Sequence, residues 1–327
     1  MSIALGVLLL GPFYLRNDPL VSIVEDFANA HDLLGGVVAY GMPGRDPALA
    51  AFGFADHSGG RKVTEDDRFK IASLSKPLTA TAILALISQG KLTLDARLVD
   101  LMPKARTAVD TRIEAVTLRH LLQHSAGWDH EQSFDPYFID EKRQTDLIGE
   151  TSAPLTTCDD VADAMLALPL QFDPGRRYAY ANLGYCWLGR ILADRGGGSY
   201  AEAVRRLVPG TEGFSLDLDD LTVHPVIAAA DVPFLANDPK IVAAAGGWIV
   251  NVERFFKFAS GPVNSDIVER PAFATGETFY GLGWRIWDLP QGLMLSHFGT
   301  LPGVFSIVVR KLDGPLMVAF FKGRPRD

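Results

Sequence analysis

The sequence predicts an α+β fold: an antiparallel sheet of about five strands built from both chain ends and flanked by helices, with a mainly helical region inserted. Three observations predict it. Strand-like runs cluster near the two ends of the chain, and helix signals dominate from about residue 73 to 208. No composition break or internal repeat interrupts the 327 residues, a length that can bury a substantial core. The economical arrangement brings the ends together. It divides the chain into a discontinuous sheet part, residues 1–72 and 240–327, and a mainly helical part, residues 73–239.

Asp18-Pro19 predicts a helix start, aspartate capping and proline in the first turn. Leu20, Ile23, Val24, Phe27 and Ala28 then follow helical spacing. Strands are predicted near 35–42 and 49–55, with a turn over Pro43–Pro47. A helix runs from Ser73 to Gln89 and stops at Gly90, and another runs from Thr117 to Ser125 before Gly127. Thr157-Cys158-Asp159-Asp160 is a capping start for a helix reaching Leu168. Leu183–Arg195 ends at Gly196, and Ser199–Val208 ends before Pro209. Residues 209–240 carry no signal that assigns them a role. Leu293–His297, Val304–Lys311 and Pro315–Phe321 are rich in β-branched or aromatic residues, with Leu312-Asp313-Gly314 turning between the last two.

Composition removes several classes of function. Hydrophobic residues make up 48% and charged residues 21%, which excludes wholesale disorder. A net charge of −8 without a basic tract argues against a nucleic-acid partner. Cys158 and Cys186 form no C-x-x-C and read as buried free thiols. Residues 3–15 are apolar but shorter than a bilayer span. They read as a packed segment of a cytoplasmic protein; the alternative is a secretion signal or weak anchor over residues 1–16, with a periplasmic or secreted location. No stable membrane span is expected, and the oligomeric state is left open.

Three short motifs carry chemistry. Ser73 and Lys76 form S-x-x-K, and three residues is about one helical turn, so both side chains can share a face. That places an amine near a hydroxyl at a helix N-terminus, where free N–H groups favour developing negative charge. The segment from Leu78 to Ile87 is nearly all apolar and predicts a buried helix. Alone, S-x-x-K occurs about once by chance in such a chain and equally describes a capping serine followed by a solvated lysine. The second motif is Tyr180-Ala181-Asn182. A phenol beside a cation can act as a general base, and an amide can both donate to and accept from a substrate. Asn182 also suits a helix cap. Tyr178 lacks an asparagine two residues on. The third is His297-Phe298-Gly299-Thr300 at a strand end, where Gly299 permits close approach and the histidine is either structural or substrate-binding.

The order S-x-x-K, Y-x-N, H-x-G resembles the serine β-lactamase and penicillin-recognising superfamily, in its class C-like branch. That branch includes family VIII carboxylesterases, D-alanyl-D-alanine carboxypeptidases and D-aminopeptidases. Leu121–Gly127, Pro174-Gly175, Gly246-Gly247 and Tyr280–Trp284 resemble the same branch, so the likeness runs from about residue 20 to 321. The resemblance implies a sheet beside a helical region with the active site between them. It implies Ser73 as nucleophile, Lys76 as its proton partner, and Tyr180 as general base and then acid. Asn182, His297, Gly299 and Thr300 would bind substrate, with the N–H groups of Ser73 and Thr300 as the oxyanion hole. Here His297 stands where the lactamase motif has lysine, and Phe298 replaces a hydroxyl residue. A partly charged histidine binds a carboxylate less well than lysine. The expected function is therefore a carboxylesterase working through an acyl-enzyme on Ser73, acting on a small-molecule ester, amide or peptide. The alternatives are a D-amino-acid peptidase or carboxypeptidase, a weak β-lactamase, or an inert binding module.

No cofactor is expected. Gly90-Lys91 is followed by Leu92, so no P-loop forms, and no G-x-G-x-x-G follows a strand. His120 and His124 lack the glutamate of H-E-x-x-H, so no metal site is expected. Gly197-Gly198-Ser199-Tyr200-Ala201 lacks the last glycine of a nucleophile elbow. Trp128, Trp248 and Trp284 either line an acyl pocket or pack in the core.

Overall fold

A computed structural model describes residues 19–56, 59–133, 145, 149, 155, 157–225, 240 and 242–325. The apolar run 3–15 and the Asp18 cap lie outside these residues. Among the described residues no helix is long and apolar enough to cross a membrane.

Strands β1 (Gly35–Gly41) and β2 (Ala48–Gly53) come from the N-terminal end. Strands β5 (Thr278–Tyr280), β6 (Arg285–Leu289), β7 (Gly292–Leu301), β8 (Val304–Lys311) and β9 (Leu316–Lys322) come from the other. Together they form one sheet in the order β2-β1-β9-β8-β7-β6-β5, every neighbouring pair antiparallel. The chain ends thus meet at the β1–β9 pairing, as the sequence predicts. The sheet has seven strands instead of about five, because β5 and β6 extend it beyond β7. A separate ribbon pairs β3 (Arg68–Lys70) with β4 (Ile249–Asn251).

Side chains alternate across the central strands with period two, and each face buries its own set. Val38, Tyr40, Met317, Ala319 and Phe321 face helix α1 (Pro19–Ala30), which supplies Val24 and Ala28. Val37, Ala39, Val318 and Phe320 face the larger core. The main helices after α1 are α2 (Ser75–Ser88), α3 (Leu118–Leu122), α4 (Cys158–Met165), α5 (Asn182–Arg195), α6 (Tyr200–Leu207) and α7 (Val252–Ala259). Phe255 of α7 packs edge-on against Phe320 of the sheet, ring centroids 5.9 Å apart. Helix α4 starts at the predicted capping box, Thr157 with Asp160. The free-thiol expectation is corrected: Cys158 of α4 and Cys186 of α5 are paired, their Cα atoms 5.6 Å apart.

Helix α2 is buried along most of its surface, as its nearly all-apolar run predicts. Leu78, Ile83, Leu84 and Leu86 are removed from water, each contributing about 2 kcal/mol. The helix begins two residues later than predicted. Residues Ala72–Leu74 form a 3₁₀ turn, and the α-helical bonds start at Ser75. Ala72 takes a left-handed φ of 46°, which costs energy for a residue with a side chain. This sharp entry puts Ser73 at the head of a rigid buried helix.

Strand β7 lies directly against that turn, and Gly299 makes the approach feasible. A Cβ at 299 would sit 2.2 Å from Ser306 Oγ and 2.5 Å from the Ile71 carbonyl oxygen. Gly299→Ala is therefore expected to destabilise the protein by about 1–3 kcal/mol. Thermal denaturation checks this; an unchanged Tm would contradict the close contact between β7 and the Ala72–Ser73 turn.

Candidate active site

The Ser73 turn, the start of α5 and strand β7 converge on one cavity of about 460 Å³. Ser73, Tyr180, Asn182, His297, Phe298 and Thr300 lie on its wall. Tyr180 Oη lies 2.8 Å from Ser73 Oγ, and Lys76 Nζ lies 3.1 Å from the same oxygen. The amine and the phenol that the motifs suggested thus both lie within hydrogen-bond reach of the serine hydroxyl. Lys76 and Gly299 stand behind the wall: Lys76 is fully buried, and Gly299 holds β7 against the turn.

Lys76 is fixed from three sides. Its Nζ donates to Asn182 Oδ1 at 2.6 Å, to the Ala245 carbonyl at 2.7 Å and to Ser73 Oγ. It also lies 4.7 Å from the centroid of the Tyr180 ring, where the π face attracts a cation. The Ala245 carbonyl belongs to a π-helical turn, Ala243–Gly247, which includes the Gly246-Gly247 pair noted in the sequence. Wide turns of this kind expose carbonyls that an α-helix would use internally. Thr79 Oγ1, which donates to the Ala244 carbonyl, and Tyr200 hold this turn against α2.

Asn182 differs from one expectation. It is the first residue of α5, Ala181 stands at the cap position, and no side chain caps the helix. The Asn182 amide is spent on Lys76 instead.

Tyr180 is braced by His124. The His124 backbone is left-handed, with φ 54°. Its Nδ1 accepts from the Ala181 N–H at 3.2 Å, and its carbonyl accepts from the Ala179 N–H at 2.8 Å. The two bonds clamp the chain on either side of Tyr180, and the two rings lie 4.3 Å apart. His120 Nδ1 accepts from the Thr117 N–H in the same way, at the start of α3.

His297 is placed differently from the strand-end position the sequence suggested. Strand β7 continues to Leu301, so His297 sits mid-strand opposite Val308 and is buried. Its Nδ1 lies 2.9 Å from the Phe298 carbonyl, an acceptor, so Nδ1 carries a proton. Nε2, 2.8 Å from Tyr280 Oη, then accepts from the phenol. Burial, followed by the charge of Lys76, holds its pKa down to about 3. The expectation of a partly charged histidine is corrected: the ring is neutral near pH 7, and neither nitrogen is available to a carboxylate. Tyr280 is a residue the motifs flagged in Tyr280–Trp284 without giving it a role.

Burial also lowers the pKa of His124 well below its ordinary value. An unfolded histidine takes up a proton near pH 6.5, and the folded ring at 297 does so only near 3. Stability is therefore complete above about pH 6.5 and declines as pH falls toward 3, by about 1.4 kcal/mol per pH unit for His297. Denaturant melts between about pH 7.5 and 5.5 check the sign. His297→Gln is expected to flatten this decline, and an unchanged slope would contradict a neutral buried ring.

The three tryptophans are resolved in favour of the core. Trp128, Trp248 and Trp284 are buried, and none is on the cavity wall. The wall includes instead His130, Tyr178, Arg285, Leu301, Pro302 and Arg324.

The chain is 33% identical over 232 residues to the esterase EstB of Burkholderia gladioli, covering 70% of this chain and 57% of the esterase. It is 24% identical to penicillin-binding protein 4* of Bacillus subtilis, covering 94% of this chain and 72% of that protein. It spans only 33% of the length of a probable fimbrial assembly protein, FimD, of Dichelobacter nodosus, at 30% identity over 142 residues. Among solved structures, the D-amino acid amidase of Ochrobactrum anthropi superposes with a TM-score of 0.72 at 21% identity, over 94% of this chain and 91% of that one. A beta-lactamase/D-alanine carboxypeptidase of Pseudomonas syringae does so with a TM-score of 0.72 at 19% identity, over 93% of each chain. These two likenesses establish the shared fold. Residues 20–325 match the beta-lactamase family, and the chain belongs to that family of serine hydrolases.

Proposed function

We propose that this enzyme is a carboxylesterase that cleaves its substrate through a covalent acyl-enzyme on Ser73. The observation that carries the reading is the placement of Ser73 Oγ 2.8 Å from Tyr180 Oη and 3.1 Å from Lys76 Nζ at a cavity wall. Ser73 Oγ attacks the carbonyl carbon, and its proton passes along the short contact to the Tyr180 oxygen. The Lys76 ammonium, held by Asn182 and the Ala245 carbonyl, stabilises the phenolate form of Tyr180 that takes this proton. Tyr180 then returns the proton to the departing alcohol. Water attacks the ester in the second half, giving its proton to Tyr180 and releasing the acid as Ser73 regains a proton. The backbone N–H groups of Ser73 and Thr300 receive the carbonyl oxygen as it becomes negative. In this reading the helical part, residues 73–239, brings Ser73, Lys76 and Tyr180, and the sheet part, residues 1–72 and 240–327, brings Thr300.

Preference for esters over β-lactams is supported by the neutral His297 and by Phe298, which offer neither a cation nor a hydroxyl where a lactam carboxylate would be received. Likeness to EstB supports it too. A substrate panel tests the preference: p-nitrophenyl esters, D-amino-acid amides, D-Ala-D-Ala peptides and nitrocefin. The highest kcat/KM is expected for the esters. Nitrocefin or a D-amino-acid amide ranking first would contradict the assignment.

A further inference from the structure

Helix α2 carries two threonines that spend their hydroxyls in opposite ways. Thr81 Oγ1 donates to the Pro77 carbonyl one turn back, at 2.8 Å, the ordinary choice for a threonine inside a helix. Thr79 Oγ1 is turned away from its own helix. Its nearest carbonyl is Ala244 of the π-helical turn, at 2.7 Å, while the Ser75 carbonyl one turn back is 3.3 Å away. A threonine hydroxyl has one proton, so with that proton on Ala244 the oxygen accepts from Tyr200 Oη at 2.8 Å. Tyr200 Oη in turn accepts from the Trp248 indole N–H at 2.9 Å, and an indole only donates. The bonds therefore run one way, from Trp248 through Tyr200 and Thr79 to Ala244. A second hydroxyl ties the chain just past the turn. Ser75 Oγ accepts from the Trp248 backbone N–H at 3.2 Å and donates to the Ala72 carbonyl at 2.7 Å, next to Ser73. Thr79, Ser75 and Trp248 are buried, so a partner lost here leaves a polar group without water to replace it.

The next carbonyl of the same turn, Ala245, is the one that receives Lys76 Nζ at 2.7 Å. Carbonyls of a helical turn point the same way, so fixing Ala244 aims Ala245. A carbonyl can only accept, and its contact favours the charged amine over the neutral one. We propose that Thr79, with Tyr200 and Trp248 behind it, is a positioning residue for the reaction: it holds the Ala245 carbonyl on Lys76 and so keeps the amine charged and in place beside Tyr180. This rests on the acyl-enzyme reading given above. It assigns a part in the reaction to three residues that are not on the cavity wall.

The titratable groups that face Lys76 from the elements packed on it are Tyr180 and Tyr185, with ring centroids 4.7 and 5.4 Å from Nζ, and His124 and His297, on which its charge acts. Burial keeps both histidines neutral near pH 7 and raises the Tyr185 phenol above its ordinary value. Tyr200, the phenol that faces Thr79, is pushed up to about 12 by burial. The limbs of the pH–rate profile therefore report Tyr180, which must be deprotonated, and Lys76, which must be charged. Loosening the Ala245 carbonyl makes Lys76 give up its proton more readily, so the alkaline limb moves to lower pH. A cation held less firmly stabilises the phenolate less, so the acidic limb moves to higher pH.

The test measures the rate at which a neutral fluorophosphonate labels Ser73 from about pH 5 to 10, a range that brackets both limbs. Ser73 Oγ bonds to phosphorus, fluoride leaves and the serine proton passes to Tyr180; intact and peptide mass spectrometry give the rate and the position. Thr79→Val keeps the shape of the side chain and removes the hydroxyl. It is expected to label about tenfold more slowly at pH 7, the worth of one hydrogen bond to a charged group, with the two limbs closer together. Thr79→Ser keeps the hydroxyl and should keep both limbs at their wild-type positions. Tyr200→Phe should move the limbs in the same direction as Thr79→Val by a smaller amount, and it carries the reading if Thr79→Val does not fold. Tm is measured for each protein, and limb positions are independent of how much of it is folded. Limbs unmoved in both Thr79→Val and Tyr200→Phe, even with a uniformly slower rate, overturn the proposal and leave the acyl-enzyme reading intact. Limbs displaced as far in Thr79→Ser as in Thr79→Val overturn it as well. No labelling of Ser73 in the wild-type protein overturns the acyl-enzyme reading and the proposal with it.

Discussion

Ser73→Ala is expected to lower ester turnover by roughly a thousandfold or more, because it removes the atom that becomes bonded to the acyl group. The fold should be unaffected. The Ser73 side chain caps no helix, and alanine suits the same 3₁₀ turn. Lys76 keeps Asn182 and the Ala245 carbonyl as partners after the change. The comparison needs kcat/KM for a p-nitrophenyl ester together with Tm for both proteins. Turnover within tenfold of wild type at equal Tm would contradict the assignment.

Tyr180→Phe is the second large effect. It removes the oxygen 2.8 Å from Ser73 Oγ and keeps the ring that packs 4.3 Å from His124 and beneath Lys76. A proton-transfer group typically contributes 10²–10⁴-fold, and a loss of roughly that size is expected, chiefly in kcat. The pH–rate profile should also lose the limb that reports this phenol. A fall of less than tenfold with the profile unchanged would move proton transfer from Tyr180 to Lys76.

The parts of the molecule legible in sequence are those set by local pattern. The three C-terminal strands β7, β8 and β9 show in runs of β-branched and aromatic residues, β1 and β2 show on either side of the Pro43–Pro47 turn, and helix α2 shows in its nearly all-apolar stretch. Strands β5 and β6 did not, since β5 has three residues and β6 reads Arg-Ile-Trp-Asp-Leu, with both polar and large apolar side chains. Their pairing depends on β7, which is distant from neither but is not encoded in either alone. At the candidate site, Ser73, Lys76 and Tyr180 were picked out by the order of three short motifs and the family it resembles, since S-x-x-K by itself equally describes a capping serine and a solvated lysine. The fate of Asn182 was not, because a cap and a lysine partner need the same residue at the same helix end. The state of His297 was hidden as well. It depends on burial, on Lys76 and on Tyr280, which only the folded sheet brings together. The Ala245 carbonyl has no sequence signature at all, since any residue supplies one; the paired glycines next to it were the nearest hint.

The central claim is that one serine hydroxyl, activated by a phenol and an amine, becomes acylated. Intact-mass and peptide mass spectrometry after exposure to a fluorophosphonate tests it most directly. The account predicts a single adduct per chain, located on Ser73, formed slowly in Tyr180→Phe and absent in Ser73→Ala. An adduct on another residue, or its persistence at full stoichiometry in Ser73→Ala, would contradict it.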